Sequence, residues 1–81
     1  MNNTTDVHDF HSVLISMIDE RFPNTEKIII HGGDYYKDLV CELRENGKAL
    51  RYSPYELYGK SKNYEETIDE FIKQWETVLQ Q

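Results

Sequence analysis

Asn46-Gly47 is the dipeptide that most restricts how this chain of 81 residues can fold. A two-residue turn whose twist matches two antiparallel strands needs positive φ at both positions, and Asn-Gly tolerates that best. Before the turn, Leu39, Cys41 and Leu43 alternate with Val40, Glu42 and Arg44. Closing a hairpin there sets Leu43 opposite Leu50, Cys41 opposite Tyr52 and Glu42 opposite Arg51. Leu39, Cys41, Leu43, Leu50 and Tyr52 then share one face, expected to be buried. Glu42, Arg44, Arg51 and Ser53 share the other, expected to be wet.

The flanking segments supply what covers that hairpin. Phe10, Val13, Leu14, Met17 and Ile18 follow the spacing of an amphipathic helix over about Val7 to Phe22, with Asp6 as its N-cap and Pro23 as its stop. Asp9 suits the positive start of that helix, and Ile15, off the stripe, is expected to be exposed. Lys27 to His31 holds three successive β-branched isoleucines and is bounded by Gly32-Gly33, which predicts a strand then a turn. Its register is open, because the loop from Gly32 to Lys37 admits several lengths. Ser53-Pro54 ends the third strand, and Tyr55 to Lys62 reads as a loop or a short extra strand. Asn63 and Glu66 form a capping box. Tyr64, Ile68, Phe71, Ile72, Trp75, Val78 and Leu79 then keep an apolar stripe through a final helix. The expected fold is α+β, in the order α-β-β-β-α: a three-stranded antiparallel meander with two helices packed on one face. It forms a single domain over residues 1–81, with residues 1–5 disordered.

Composition bounds the chemistry. Cys41 is the only cysteine, so no internal disulfide forms, and an unpaired thiol suits a reducing compartment; a cytoplasmic location is expected. The longest apolar runs, Val13 to Ile15 and Ile28 to Ile30, are too short for a membrane span, which needs about 20 residues, and too short for a secretion signal. The net charge of −6 is unevenly placed. Residues 1–26 and 63–81 each hold five acids and one base, whereas residues 27–62 hold five acids and seven bases. Phosphate backbones should be repelled by most of such a surface, so direct nucleic-acid binding is not expected.

Each candidate site has a plainer competitor. His8 and His11 stand one helical turn apart near Asp9, and His31 ends the first strand; a metal site competes with solvated or capping histidines, the preferred reading. Cys41 as a nucleophile competes with a thiol buried between Leu39 and Leu43, which is favoured. Gly32-Gly33 lacks phosphate-loop spacing and reads as a turn. No pair of titratable groups is placed in a shared pocket, so no reaction class follows; the chain is expected to be non-enzymatic, without cofactor or metal. On the last helix, Glu65, Asp69 and Glu76 share a flank, with Glu66 and Glu70 adjacent. Such a row either docks on a basic surface or is a solvated face favoured by the helix dipole. Tyr35, Tyr36, Tyr55 and Tyr58 fall in segments read as loops. Exposed tyrosine is enriched at interfaces, and the competing reading is a second, smaller core around residues 51–58.

The element order resembles the double-stranded-RNA-binding domain. Pro23 stands nine residues before Gly32-Gly33, where that family has its Gly-Pro loop; Leu39 and Gly47 fall at its strand-two aromatic and hairpin glycine. Gly59-Lys60-Ser61-Lys62 is similar to the start of its basic motif. The likeness covers about residues 23–66. Gly33 replaces the family's proline, Tyr35 its loop histidine, and Asn63, Glu65 and Glu66 stand where it places Lys, Ala and Lys, so the resemblance implies the fold and not the phosphate clamp. In size, acidity and element order the chain is also similar to small phage-encoded inhibitors, including anti-CRISPR proteins, which block a nucleic-acid site by presenting carboxylates. The expected function is a protein-binding module, an inhibitor or accessory protein. Its partner offers a basic surface, as a nucleic-acid-processing enzyme does, and contacts Glu65, Glu66, Asp69, Glu70, Glu76, Tyr35, Tyr36, Tyr55 and Tyr58. The alternative is a degenerate RNA-binding-type domain retained for dimerisation or for protein or RNA contact; a homodimer is compatible with either.

Overall fold

A computed structural model describes residues 3–32, 38–61 and 63–81, with side chains from Asp6 onward. Its elements run α1 (Asn3–Arg21), β1 (Glu26–His31), β2 (Val40–Glu45), β3 (Lys48–Tyr52), α2 (Pro54–Lys60) and α3 (Tyr64–Gln80). The strands form one antiparallel sheet in the order β1-β2-β3. The architecture is α+β, helix, three-stranded meander, then helices, as expected.

The hairpin closes where the dipeptide requires. Asn46 and Gly47 both have positive φ, 54° and 78°. Leu43 pairs with Leu50, Cys41 with Tyr52 and Glu42 with Arg51. The open register of β1 resolves with Ile28 opposite Glu42 and Ile29 opposite Cys41, then shifts by a bulge so that His31 meets Val40. Gly32 follows at φ 80°; a Cβ there would stand 3.1 Å from the Leu39 Cα, so the chain turns through a space only glycine fits. Gly33, the second glycine of the expected turn, lies outside the described residues.

One sheet face carries the core. Leu39, Cys41, Leu43 and Tyr52 pack with Phe10, Leu14 and Ile18 of α1 and Ile68, Phe71, Ile72 and Trp75 of α3. Trp75 is fully buried, and its indole N–H donates to Thr25 Oγ1 at 3.0 Å; Thr25 in turn donates to Glu45 Oε1 at 2.5 Å. This chain of bonds ties α3 to the α1–β1 turn and to β2 without leaving a buried donor unmet. Lys27 of β1 pairs with Asp19 of α1, and Lys48 caps α3 by donating to the Leu79 carbonyl at 3.2 Å.

Four expectations need correction. First, α1 begins at Asn3, so Asp6 lies inside its first turns and is not the cap, and residues 3–5 of the segment expected to be disordered are helical backbone. Its buried face is Val7, Phe10, His11, Leu14 and Ile18, while Val13 is 51% exposed and Met17 and Ile15 are half-buried. Second, Tyr55 to Lys62 is no loop or strand as far as Lys60: Ser53 Oγ accepts from the Glu56 N–H at 3.3 Å and Pro54 occupies the first helical turn, so the dipeptide that stops β3 also starts α2. Third, His11 is neither solvated nor a cap; it is 6% exposed and its Nε2 lies 2.7 Å from the Tyr52 hydroxyl. Fourth, Glu42 on the expected wet face is only 4% exposed. Arg51 Nε donates to its Oε1 at 2.8 Å and Arg44 Nε to its Oε2, and these two arginines, Arg51 first, hold its carboxyl below the usual range.

Candidate groove between the first and last helices

The α3 start is set by Asn63, whose Oδ1 accepts from the Glu66 N–H at 3.2 Å while its carbonyl accepts from Thr67 N–H at 3.0 Å. This capping fixes the first turn, and with it Tyr64, Glu65 and Glu66, against the flank of α1. Between the two helices lies an open groove of about 900 Å³.

Phe10, Val13 and Met17 of α1 and Tyr64 and Ile68 of α3 make its apolar floor. Asp9 from α1, and Glu65, Glu66 and Asp69 from α3, make its rim. Val13 at 51% exposure and Tyr64 at 45% are two of the three large hydrophobic residues most exposed among the described residues, the third being Ile29 at the free edge of β1. Both were placed on core stripes by their spacing. Within the floor, Phe10 meets Tyr64 edge-on at 5.4 Å, and it meets Tyr58 of α2 at 5.9 Å; Tyr58 and Tyr64 lie 5.5 Å apart. The hydrogen bond with Tyr64, then burial and the nearby Asp6 carboxylate, push the Tyr58 phenol up to about 12, so it stays neutral and serves as packing rather than as a base.

The structure brings together some of the expected contact residues and separates others. Glu65, Glu66 and Asp69 converge on the groove; Glu70 and Glu76 are exposed on α3 outside it. Asp69 also pairs with Lys73 one turn on, at 3.5 Å, both side chains more than half exposed. Tyr55 and Tyr58 are half-buried on α2, not in a loop, so neither is a freely exposed tyrosine. Tyr35 and Tyr36 lie outside the described residues, as does Lys62 of the basic stretch. Val13, Met17 and Tyr64 were not expected at a site, and Asp9 only beside the histidines. The available signal was an α1 apolar band too wide for one face: Val7, Leu14 and Ile18 on one side, Val13 and Met17 on the other.

The remaining candidates are dispersed. His11 is inside the core, His8 is exposed beside Asp9 at 4.0 Å, and His31 is exposed on β1. Among the described residues no three His, Cys, Asp or Glu side chains are grouped to hold a metal ion. Burial pushes the Cys41 thiol up, with a hydrogen bond to Tyr52 acting the other way, which keeps it protonated and a poor nucleophile. Among the described residues no helix is long and apolar enough to cross a membrane. Comparison with models of protein families, with curated proteins and with solved structures finds no match, so the likenesses to RNA-binding domains and to phage inhibitors rest on element order, spacing and charge alone.

Proposed function

We propose that this chain is a non-enzymatic protein-binding module, an inhibitor or accessory protein of the cytoplasm, that docks on a basic surface of its partner. The observation that carries the reading is the apolar floor of the α1/α3 groove, where Val13 and Tyr64 are exposed and Asp9, Glu65, Glu66 and Asp69 form the edge. An acidic helix face alone is ordinary solvated surface. Carboxylates around uncovered valine and tyrosine combine a desolvation gain with charge selection, as protein interfaces do. Glu70 and Glu76 extend the negative field along α3 and speed encounter rather than hold the complex.

The test is charge reversal. The variant carrying Glu65→Lys, Asp69→Lys and Glu76→Lys should keep its native circular dichroism and lose the proteins that the native chain captures from its source cell. Capture should also fall as salt is raised. An unchanged set of captured proteins overturns the proposal. Gel shift with duplex RNA separates it from the RNA-binding alternative: no shift is expected at physiological salt, and micromolar, salt-sensitive binding lost on Lys60→Glu reverses the order of the two readings.

A further inference from the structure

We infer that the occupant of the α1/α3 groove is a basic amphipathic helix of the partner, seated with its apolar stripe on Val13, Met17 and Tyr64. This rests on the protein-binding reading above and adds the chemistry and shape of what binds. The groove lies between two helices, and its floor is built of residues three or four apart: Phe10, Val13 and Met17 on one side, Tyr64 and Ile68 on the other. Residues at those spacings stand about 5–6 Å apart along a helix, the repeat that a third helix presents to such a furrow. A flat basic patch would satisfy the rim and leave Val13 and Tyr64 in water. An apolar strand or loop would cover the floor without meeting the carboxylates. A helix with leucine-like residues along one stripe and Lys or Arg on its flanks does both, a recurrent mode of helix-in-groove recognition.

Charge excludes the two other obvious occupants. A second copy joined through the same groove would set Asp9, Glu65, Glu66 and Asp69 against their own equivalents, since a two-fold interface uses one patch twice. Nucleic acid would bring phosphates to the same carboxylates. For a cationic helix, by contrast, Asp69 is readily recruited: its present partner Lys73 is 72% exposed, and such a surface pair is worth little and is easily exchanged.

The probe is a fluorescein-labelled synthetic peptide of about 18 residues, five helical turns, with a leucine stripe and Lys/Arg flanks. One control keeps its composition but scrambles the stripe; a second keeps the stripe with Glu flanks. The native chain should bind the probe at least about tenfold more tightly than either control, and Val13→Lys should weaken it by about tenfold or more, as loss of a central anchor does. Where Val13→Lys disturbs the circular dichroism, Val13→Ser with Tyr64→Ser replaces it, with the same loss expected. Equal binding of the scrambled peptide, or indifference to the substitutions at Val13 and Tyr64, overturns the inference. If the probe fails while captured proteins are still lost on charge reversal of α3, the module docks by charge alone and only the helical occupant falls; if both fail, the functional proposal falls too.

Discussion

The two long helices cover the same sheet face and answer to different demands. α3 keeps one buried row, Ile68, Phe71, Ile72 and Trp75, and meets the groove only at its first turns, through Tyr64 and Ile68 with Glu65, Glu66 and Asp69. On α1, Phe10, Leu14 and Ile18 pack into the core, with Val7 and His11 also buried, while Val13 and Met17 line the groove. Where a second surface is confined to a helix end the period stays clean; where it runs along the helix the apolar band broadens. The breadth of the α1 band marks the side on which it is available to something else.

The largest effect that sharpens this contrast is at Trp75. Removing a fully buried tryptophan that also anchors Thr25 should cost about 3–5 kcal/mol, a large share of the roughly 5–15 kcal/mol a domain has in hand. Denaturant melts of Trp75→Ala should show a chain largely unfolded or strongly destabilised. A native-like melt would mean that the buried row of α3 does not hold it to the sheet.

Next comes acid. Burial first, and the neighbouring His8 second, lower the His11 pKa to about 4 from 6.5. The folded state therefore disfavours imidazolium, so the unfolded chain binds the extra proton. The stability contribution is complete above pH 6.5 and is lost as pH falls towards 4, amounting to at most about 3 kcal/mol. The lowered Glu42 carboxyl acts in the same direction at lower pH, its contribution present above the ordinary carboxylate range. Melts of His11→Gln, which keeps a partner for Tyr52, should be flatter than native between pH 6.5 and 4; parallel curves would show that His11 is reached by solvent.

Smaller effects follow at the caps and in the groove. Asn63→Ala should lower stability by about 1 kcal/mol, the usual loss of an N-cap. Val13→Ser should change it by no more than about 0.5 kcal/mol, as exposed positions do. A cost of a buried valine's size would return Val13 to the core and close the groove.

These differences explain which parts of the fold were legible. The β2–β3 hairpin was, because Asn46-Gly47 admits one turn and side-chain alternation then admits one register. α3 was, through its cap and stripe. β1 could be recognised as a strand but not placed, since the loop from Gly32 to Lys37 leaves its register open and the bulge between Ile29 and His31 leaves no trace in three successive isoleucines. α2 was missed because Ser53-Pro54 signals the end of one element and the start of another, and only the end was read. The groove was missed for a general reason: periodicity says which side chains share a face, never whether a neighbouring element covers that face. Val13 and Tyr64 have the spacing of core residues and lack the cover. His11 was missed because its partner, Tyr52, is 41 residues away, and nothing local announces the pairing.

Trp75 is also the chain's single tryptophan, sealed from water and hydrogen-bonded through its indole nitrogen. Its fluorescence is therefore a built-in reporter of one event, the separation of α3 from the sheet, which would move the emission to the red. Trp75 does not line the groove. A molecule that seats there should leave the spectrum in place, whereas one that merely denatures the chain should shift it. Excited selectively, that one chromophore separates a true ligand from a disruptive one in the same titration, with no label added to the protein.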